Sequence, residues 1–433
     1  MSNGLANGYD LACVNACMRT SRIPVVVCCT AVLAACGGAP GLSRHGSAAH
    51  HAPRVVTLLS GKARQDAVSS LSASHLADAQ RAFGADLLRA VCGSEKQGNV
   101  TVSPASAALA LGQLDAGARG ATRSKIDALL HLPSWSDAVV AAYRAQRLEL
   151  AKLTQVQLSN RVYSAYGNPP TAQTLSDFAT GFGSQLAQLD FSKPAATDAI
   201  NADVRKDTKG MIPKLFDKPL DAFTVVVLTD ALHLKADWAM PFDTVTDFPF
   251  TTDSGTKVTA HMMSAHELAA PYRTKDGWKS VELPYAGDQL KAYAILPPKG
   301  SECGDVTGET LTTLTTGPSA GNSSVQMPRV DLTQTHNLLT PLKALGLPID
   351  GAVDYTGLGP QVDGISAAVQ KVAVKVDEKG TEASAATGIA GFTTALIVPP
   401  HMLVLDRPYL LLIQDTQTGT PLFLSRVTDP SLN

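Results

Sequence analysis

Apolar residues recur at helical spacing from Leu71 to Val91, where Leu76, Phe83, Leu87, Leu88 and Val91 share a face, and this predicts an opening helix. Asn99 to Ser103 reads as a short strand running into Pro104, which pre-sets the first turn of a second helix ending near Gly117 to Gly120. A further helix spans Asp198 to Lys209 and closes at Gly210. Val225 to Leu228 is apolar at every position and continues to Leu234, the pattern of a strand buried on both faces. Val258 to Met263, Ser280 to Pro284 and Lys291 to Leu296 are strands, the last two joined by a turn at Gly287-Asp288. Val325 to Val330 leads into a helix through Leu345 that stops at Gly346, and Tyr409 to Gln414 and Pro421 to Val427 bracket a turn at Thr418-Gly419. This mixture of helices and strands places the chain in the α+β class.

One segment fits neither period. Glu378-Lys379-Gly380-Thr381-Glu382-Ala383-Ser384-Ala385-Ala386-Thr387 is a run of small residues behind a glutamate. Side chains of a strand alternate between faces, so as a strand this peptide would point Thr381, Ala383, Ala385 and Thr387 one way. None of the four is large or charged. Such a stretch is either a flexible linker or a peptide that fits between two strands already paired, where larger side chains would overpack the gap at about 1–3 kcal/mol per site.

With 433 residues, 45% hydrophobic and 17% charged, the chain can bury a large core. A net charge of −2 offers no basic footprint for nucleic acid. Near the N-terminus, Arg19 and Arg22 precede an apolar run from Ile23 to Ala35, the make-up of a secretory signal too short to remain as a membrane span. Met18 directly before the arginines suggests that residues 1–17 are a misassigned start. The ending Leu33-Ala34-Ala35-Cys36 resembles the bacterial lipobox, which implies lipid attachment at Cys36, a lipid anchor in the membrane, and a secreted protein held at a bacterial cell envelope. Expected boundaries are therefore a leader over 1–35, an anchored flexible tether over 36–65 rich in Gly, Ala, Ser, His and Pro, and a single domain over 66–433. Only Cys92 and Cys303 lie in the body. They could pair or remain as two buried thiols. No Cys/His spacing makes a metal site.

Several separated motifs resemble one family. Ser103-Pro104-Ala105-Ser106 opening a helix, Gly117-Ala118 followed by Gly120 and Thr122, Lys235 and Trp238 after a buried strand, the hinge beginning at Glu378, and the ending from Pro421 to Val427 with Pro430 all occur in serpin order. The resemblance covers roughly residues 71–433. It implies a serpin fold of three β-sheets with about eight or nine helices and an exposed reactive-centre loop at about 378–402, in a monomer without cofactor.

The resemblance further implies an irreversible suicide-substrate inhibitor, not an enzyme, that forms a covalent complex with a target serine protease. Counting forward from Glu378 puts the scissile bond at Thr394-Ala395, whereas counting back from Asp406-Arg407-Pro408-Tyr409 lands near Ile397, beside Leu396. Every candidate is small or apolar, which favours an elastase-, subtilisin- or chymotrypsin-like target over a trypsin-like one. The hinge residues are Glu378, Gly380, Thr381, Ala383, Ala385 and Thr387. Where the family has His and Asn in the sheet-opening region, this chain has Gln370 and Asp230, and the expectation is a rewired network in which the Gln370 amide donates to Asp230, with Ser103 and Ser106 satisfying the rest. Arg329 and Glu378 are expected to pair close to Trp238.

Two rivals remain. A serpin fold can act without inhibiting, as a plain protease substrate, a chaperone or a binding protein. Gly317-Pro318-Ser319-Ala320-Gly321 has the hydrolase-elbow pattern but lies in a Thr/Gly/Ser-rich stretch. Ser254 and Lys257 have Ser-x-x-Lys spacing in a turn, and His266-Glu267 lacks the second histidine of a zinc helix.

Overall fold

The computed structural model describes residues 55–64, 71–94, 98–268, 270–321, 323–381 and 401–432. The all-buried strand Val226–Leu234 lies at the centre. It belongs to a six-stranded sheet ordered Val56–Leu59, Leu186–Leu189, Val156–Ala165, Val226–Leu234, Ala367–Ala373 and Gln334–Asn337. Within it Val226–Leu234 pairs antiparallel with Val156–Ala165 and parallel with Ala367–Ala373. A second six-stranded sheet is built around Leu290–Leu296, Tyr409–Asp415 and Pro421–Val427, and a four-stranded one runs His401–Val404, Ser323–Pro328, Lys257–Leu268, Thr244–Thr251.

Behind the main sheet lies the helix Pro104–Gly117, buried along its whole length. Its start follows from local chemistry. Ser103 in extended backbone accepts the Ser106 amide, and Pro104 occupies the first turn without wasting a donor. Small residues then let neighbours approach: a side chain on Gly84 would collide with the Pro104 ring, and one on Gly112 with Tyr143. The opening helix is Ala73–Ser94.

Eight α-helices are present among the described residues, but four sheets rather than the expected three. The extra sheet is the upper end of the main one. Its strands are Val330–Asp331, Lys375–Val376, Gly380–Thr381 and Ala236–Asp237. Three of these continue strands of the main sheet after breaks at Thr333, Val374 and Lys235. The fourth, Gly380–Thr381, wedges between its neighbours and separates the ladder above from the one below.

Two elements carried too weak a local signal to be predicted. The strand Val56–Leu59 lies in the stretch expected to be tether, and pairs with Leu186–Leu189 along the sheet edge. Arg64 then fastens the segment with ion pairs to Asp137 at 3.1 Å and Asp177 at 2.8 Å. The short strand Gln334–Asn337 precedes the helix Leu339–Ala344 where one helical approach was expected.

The two body cysteines are paired, Cys92 to Cys303, across 211 residues of sequence. Closing so long a loop restrains the unfolded chain, a contribution of about 2–5 kcal/mol. It ties the end of Ala73–Ser94 to the turn ahead of the helix Gly308–Thr316.

Candidate functional site: the hinge and the seam of the main sheet

At its lower end the central sheet has a parallel seam. Val226–Leu234 and Ala367–Ala373 run side by side from Ala367↔Val227 to Ala373↔His233. Above that level the two strands part, and the chain that has just left Val376 turns back between them. Gly380–Thr381 pairs antiparallel with Lys375–Val376 on one side and with Ala236–Asp237 on the other. The first two residues of a new strand are therefore already seated in the gap.

The turn that sends the chain back is closed at several points. Asp377 donates its amide to the Gly380 carbonyl at 2.9 Å, and its carboxylate accepts the amides of Lys379 and Gly380. The carbonyls along the turn are gripped by one segment. Trp238 donates its amide to Lys379 and its indole Nε1 to Asp377, at 2.8 and 2.9 Å, and Phe242 donates to Glu378 at 2.8 Å. Glu378 forms an ion pair with Arg329, the pairing that the family resemblance implies. Trp238 stacks on Tyr285 with ring centroids 4.3 Å apart.

Each hinge residue is suited to its place. A Cβ on Gly380 would fall 2.2 Å from the Ala236 carbonyl oxygen, so only glycine passes there. Thr381 is fully buried, and its hydroxyl meets the Tyr285 phenol at 2.7 Å. Burial raises the Tyr285 pKa, keeping the phenol protonated for that bond. Tyr285 carried no sequence signal, because its role depends on a neighbour 96 residues away.

Below the wedge, the seam is crossed by a buried polar cluster. Asp230 and Gln370 are register partners on the two parallel strands. The Gln370 side chain donates to the Asp230 carboxylate and to the Ser103 carbonyl, and accepts the Ser103 amide at 2.9 Å. Ser106 donates its hydroxyl to the other Asp230 oxygen. These partners match the predicted network of Ser103, Ser106, Asp230 and Gln370. Asn160, not predicted, completes it by donating to the Ser106 hydroxyl at 2.8 Å. No cation is bonded to this carboxylate among the described residues, and burial pushes its pKa up to about 7 despite the three polar neighbours.

Ala383, Ala385, Thr387 and the scissile window Thr394, Ala395, Leu396 and Ile397 lie outside the described residues, as does Cys36. The chain is described again from His401, which begins a strand parallel to Ser323–Pro328.

The hydrolase alternatives find no support in the geometry. Ser319 follows the helix Gly308–Thr316 and precedes the strand Ser323–Pro328, the reverse of a strand-to-helix nucleophile elbow. Ser254 sits in the hairpin turn between Thr244–Thr251 and Lys257–Leu268, its hydroxyl bonded to Thr252 and Thr256.

A family model described as "Serpin (serine protease inhibitor)" matches residues 78–430. The chain belongs to the serpin family. Among its relatives, the pig leukocyte elastase inhibitor is 30% identical over 380 residues, covering 82% of this chain and 99% of that protein. Iripin-5 of the tick Ixodes ricinus is 32% identical over 371 residues, covering 81% and 93%. The crystal structure of the thermophilic serpin tengpin in its native state superposes with a TM-score of 0.74 at 21% identity, over 86% of this chain and 97% of that chain. This last likeness shows the fold alone.

Proposed function

We propose that this serpin is a suicide-substrate inhibitor of an extracellular serine protease of elastase-, subtilisin- or chymotrypsin-like specificity. The observation that carries this reading is the wedge itself, because the inserted strand has already begun in the native chain at Gly380–Thr381. In the proposed sequence, the protease serine attacks a carbonyl within Thr394 to Ile397. The bond to the following nitrogen breaks, the new amino terminus departs, and an acyl-enzyme ester remains. The freed loop then zips downward from Thr381.

Its energetics favour that direction. Each step replaces one parallel pairing between Val226–Leu234 and Ala367–Ala373 by two antiparallel pairings, and parallel pairs are the slightly weaker kind. The inward positions after Thr381 are Ala383, Ala385 and Thr387, all small. About 14 inserted residues at roughly 3.3 Å each make a strand of about 45 Å, which carries the acylated protease far from where it bound. Displacing catalytic groups by about 1 Å can already cost a hundredfold in rate, so hydrolysis of the ester stalls.

Incubation with pancreatic elastase and with subtilisin, followed by denaturing electrophoresis, tests this. The expected result is an SDS-stable complex at the summed mass of protease and cleaved serpin. Clean cleavage without complex by every protease of this specificity would instead mark a serpin that serves as substrate, chaperone or binding protein.

We further propose, from the leader alone, that the protein is secreted by a bacterium and held as a monomer at the cell envelope by lipid on Cys36. A radiolabelled fatty acid should be incorporated in the wild type and lost in Cys36→Ser. Equal labelling of both would remove the anchor.

A further inference from the structure

The structure holds a second cavity-like site remote from the hinge. A cavity of about 360 Å³ opens between the end of the helix Asp137–Leu150, the start of the strand Val156–Ala165 and the end of the helix Ala195–Asp207. Its size falls in the range of small-molecule sites. The wall is apolar, formed by Leu109, Leu150, Leu153, Val156 and Leu158. Leu109, Leu150 and Leu153 are buried, and the other two are partly covered.

Charge in this cavity is unbalanced. Arg147 lines it half-buried, and its Nε is buried without a hydrogen-bond partner. Burial and then the neighbouring Arg144 both lower the Arg147 pKa, so its environment is short of negative charge. Its guanidinium lies close to Gly183, where an added Cβ would come within 2.8 Å of Cζ. Lys209 adds a second cation on the exposed side. The one carboxylate in the lining, Asp207, is already engaged by Arg161 at 2.9 Å and by the Ser159 hydroxyl at 2.9 Å.

We propose that this cavity binds a medium-chain fatty-acid carboxylate, with the acyl tail against the leucine wall and the head on Arg147 and Lys209. Chemistry dictates both ends. A half-buried guanidinium lacking an anion gains most from a planar carboxylate that can meet it through two N–H groups. An apolar wall of this extent rewards a tail rather than a compact polar anion.

Calorimetry and thermal unfolding of the intact protein with sodium decanoate below its micellar concentration test the site. Saturable binding and a rise in Tm that grows with ligand concentration are expected. Octanoate should bind more weakly by roughly fourfold for each methylene removed, and acetate should not bind measurably. Arg147→Gln should weaken decanoate at least tenfold. Val156→Phe, which fills the cavity and keeps every charge, should also abolish binding, so the test survives if the arginine variant fails to fold. Absence of saturable binding, equal affinity for decylamine, or unchanged affinity in both folded variants would overturn the assignment.

Discussion

Thr381→Arg is expected to turn the inhibitor into a substrate: cleavage by the target protease continues, and the SDS-stable complex falls at least a hundredfold. Thr381 has no exposed surface, and its side chain lies against Tyr285 in the gap between Lys375–Val376 and Ala236–Asp237. A guanidinium forced into that place would be buried without a counter-ion, at a cost of several kcal/mol. The hinge would stay outside the sheet, and the first rung of the insertion would be missing when the acyl-enzyme forms. Deacylation then wins the race. Thr381→Ser keeps the hydroxyl and should inhibit normally. Wild-type levels of complex from the arginine variant, measured as complex against cleaved product on a denaturing gel, would sink the insertion mechanism.

The second large effect is expected at the seam. Gln370→Ala should lower Tm by several degrees and promote spontaneous loop insertion, with a deficit larger at pH 8 than at pH 5. Gln370 supplies one of the donors to the Asp230 carboxylate and both bonds to the Ser103 backbone. Leaving buried polar groups unsatisfied costs about 1–3 kcal/mol, and more when the group is charged. The pH dependence follows from the raised Asp230 pKa of about 7, against about 3.9 in an unfolded chain. Between those values the native state holds a proton that the unfolded chain has released. Asp230 therefore favours the native state fully below about pH 4, and this advantage is lost as pH rises through about 7. Removing a donor to the ionised form raises the pKa further, so the loss is greatest where the carboxylate is charged. Melting curves of both proteins at the two pH values decide it. An equal deficit at both would separate Gln370 from Asp230.

The residues of the wedge and of the seam differ in how far they could be read from sequence. Glu378, Gly380 and Thr381 stood out because a strand that must enter a closed gap leaves a local trace, small side chains at alternate positions. Ser103 and Pro104 were equally legible as a helix start. Asp230 and Gln370 were readable only through departures from a family pattern, and Asn160 and Tyr285 left no trace, since each works through partners 54 and 96 residues away. Val56–Leu59 escaped because a four-residue strand carries little periodicity, and its pairing with Leu186–Leu189 is a contact between distant segments.

By itself, the order of apolar and polar residues determined the fold class, the central buried strand, the turns and the insertable composition of the hinge, because periodicity, capping and steric bulk act between near neighbours. Tertiary structure alone decided that Cys92 and Cys303 pair, that the upper main sheet is split, and that Gly380–Thr381 already lies between its strands. Those outcomes depend on which distant segments compete for the same hydrogen-bonding edge or come within bonding distance, and only the folded chain brings them together.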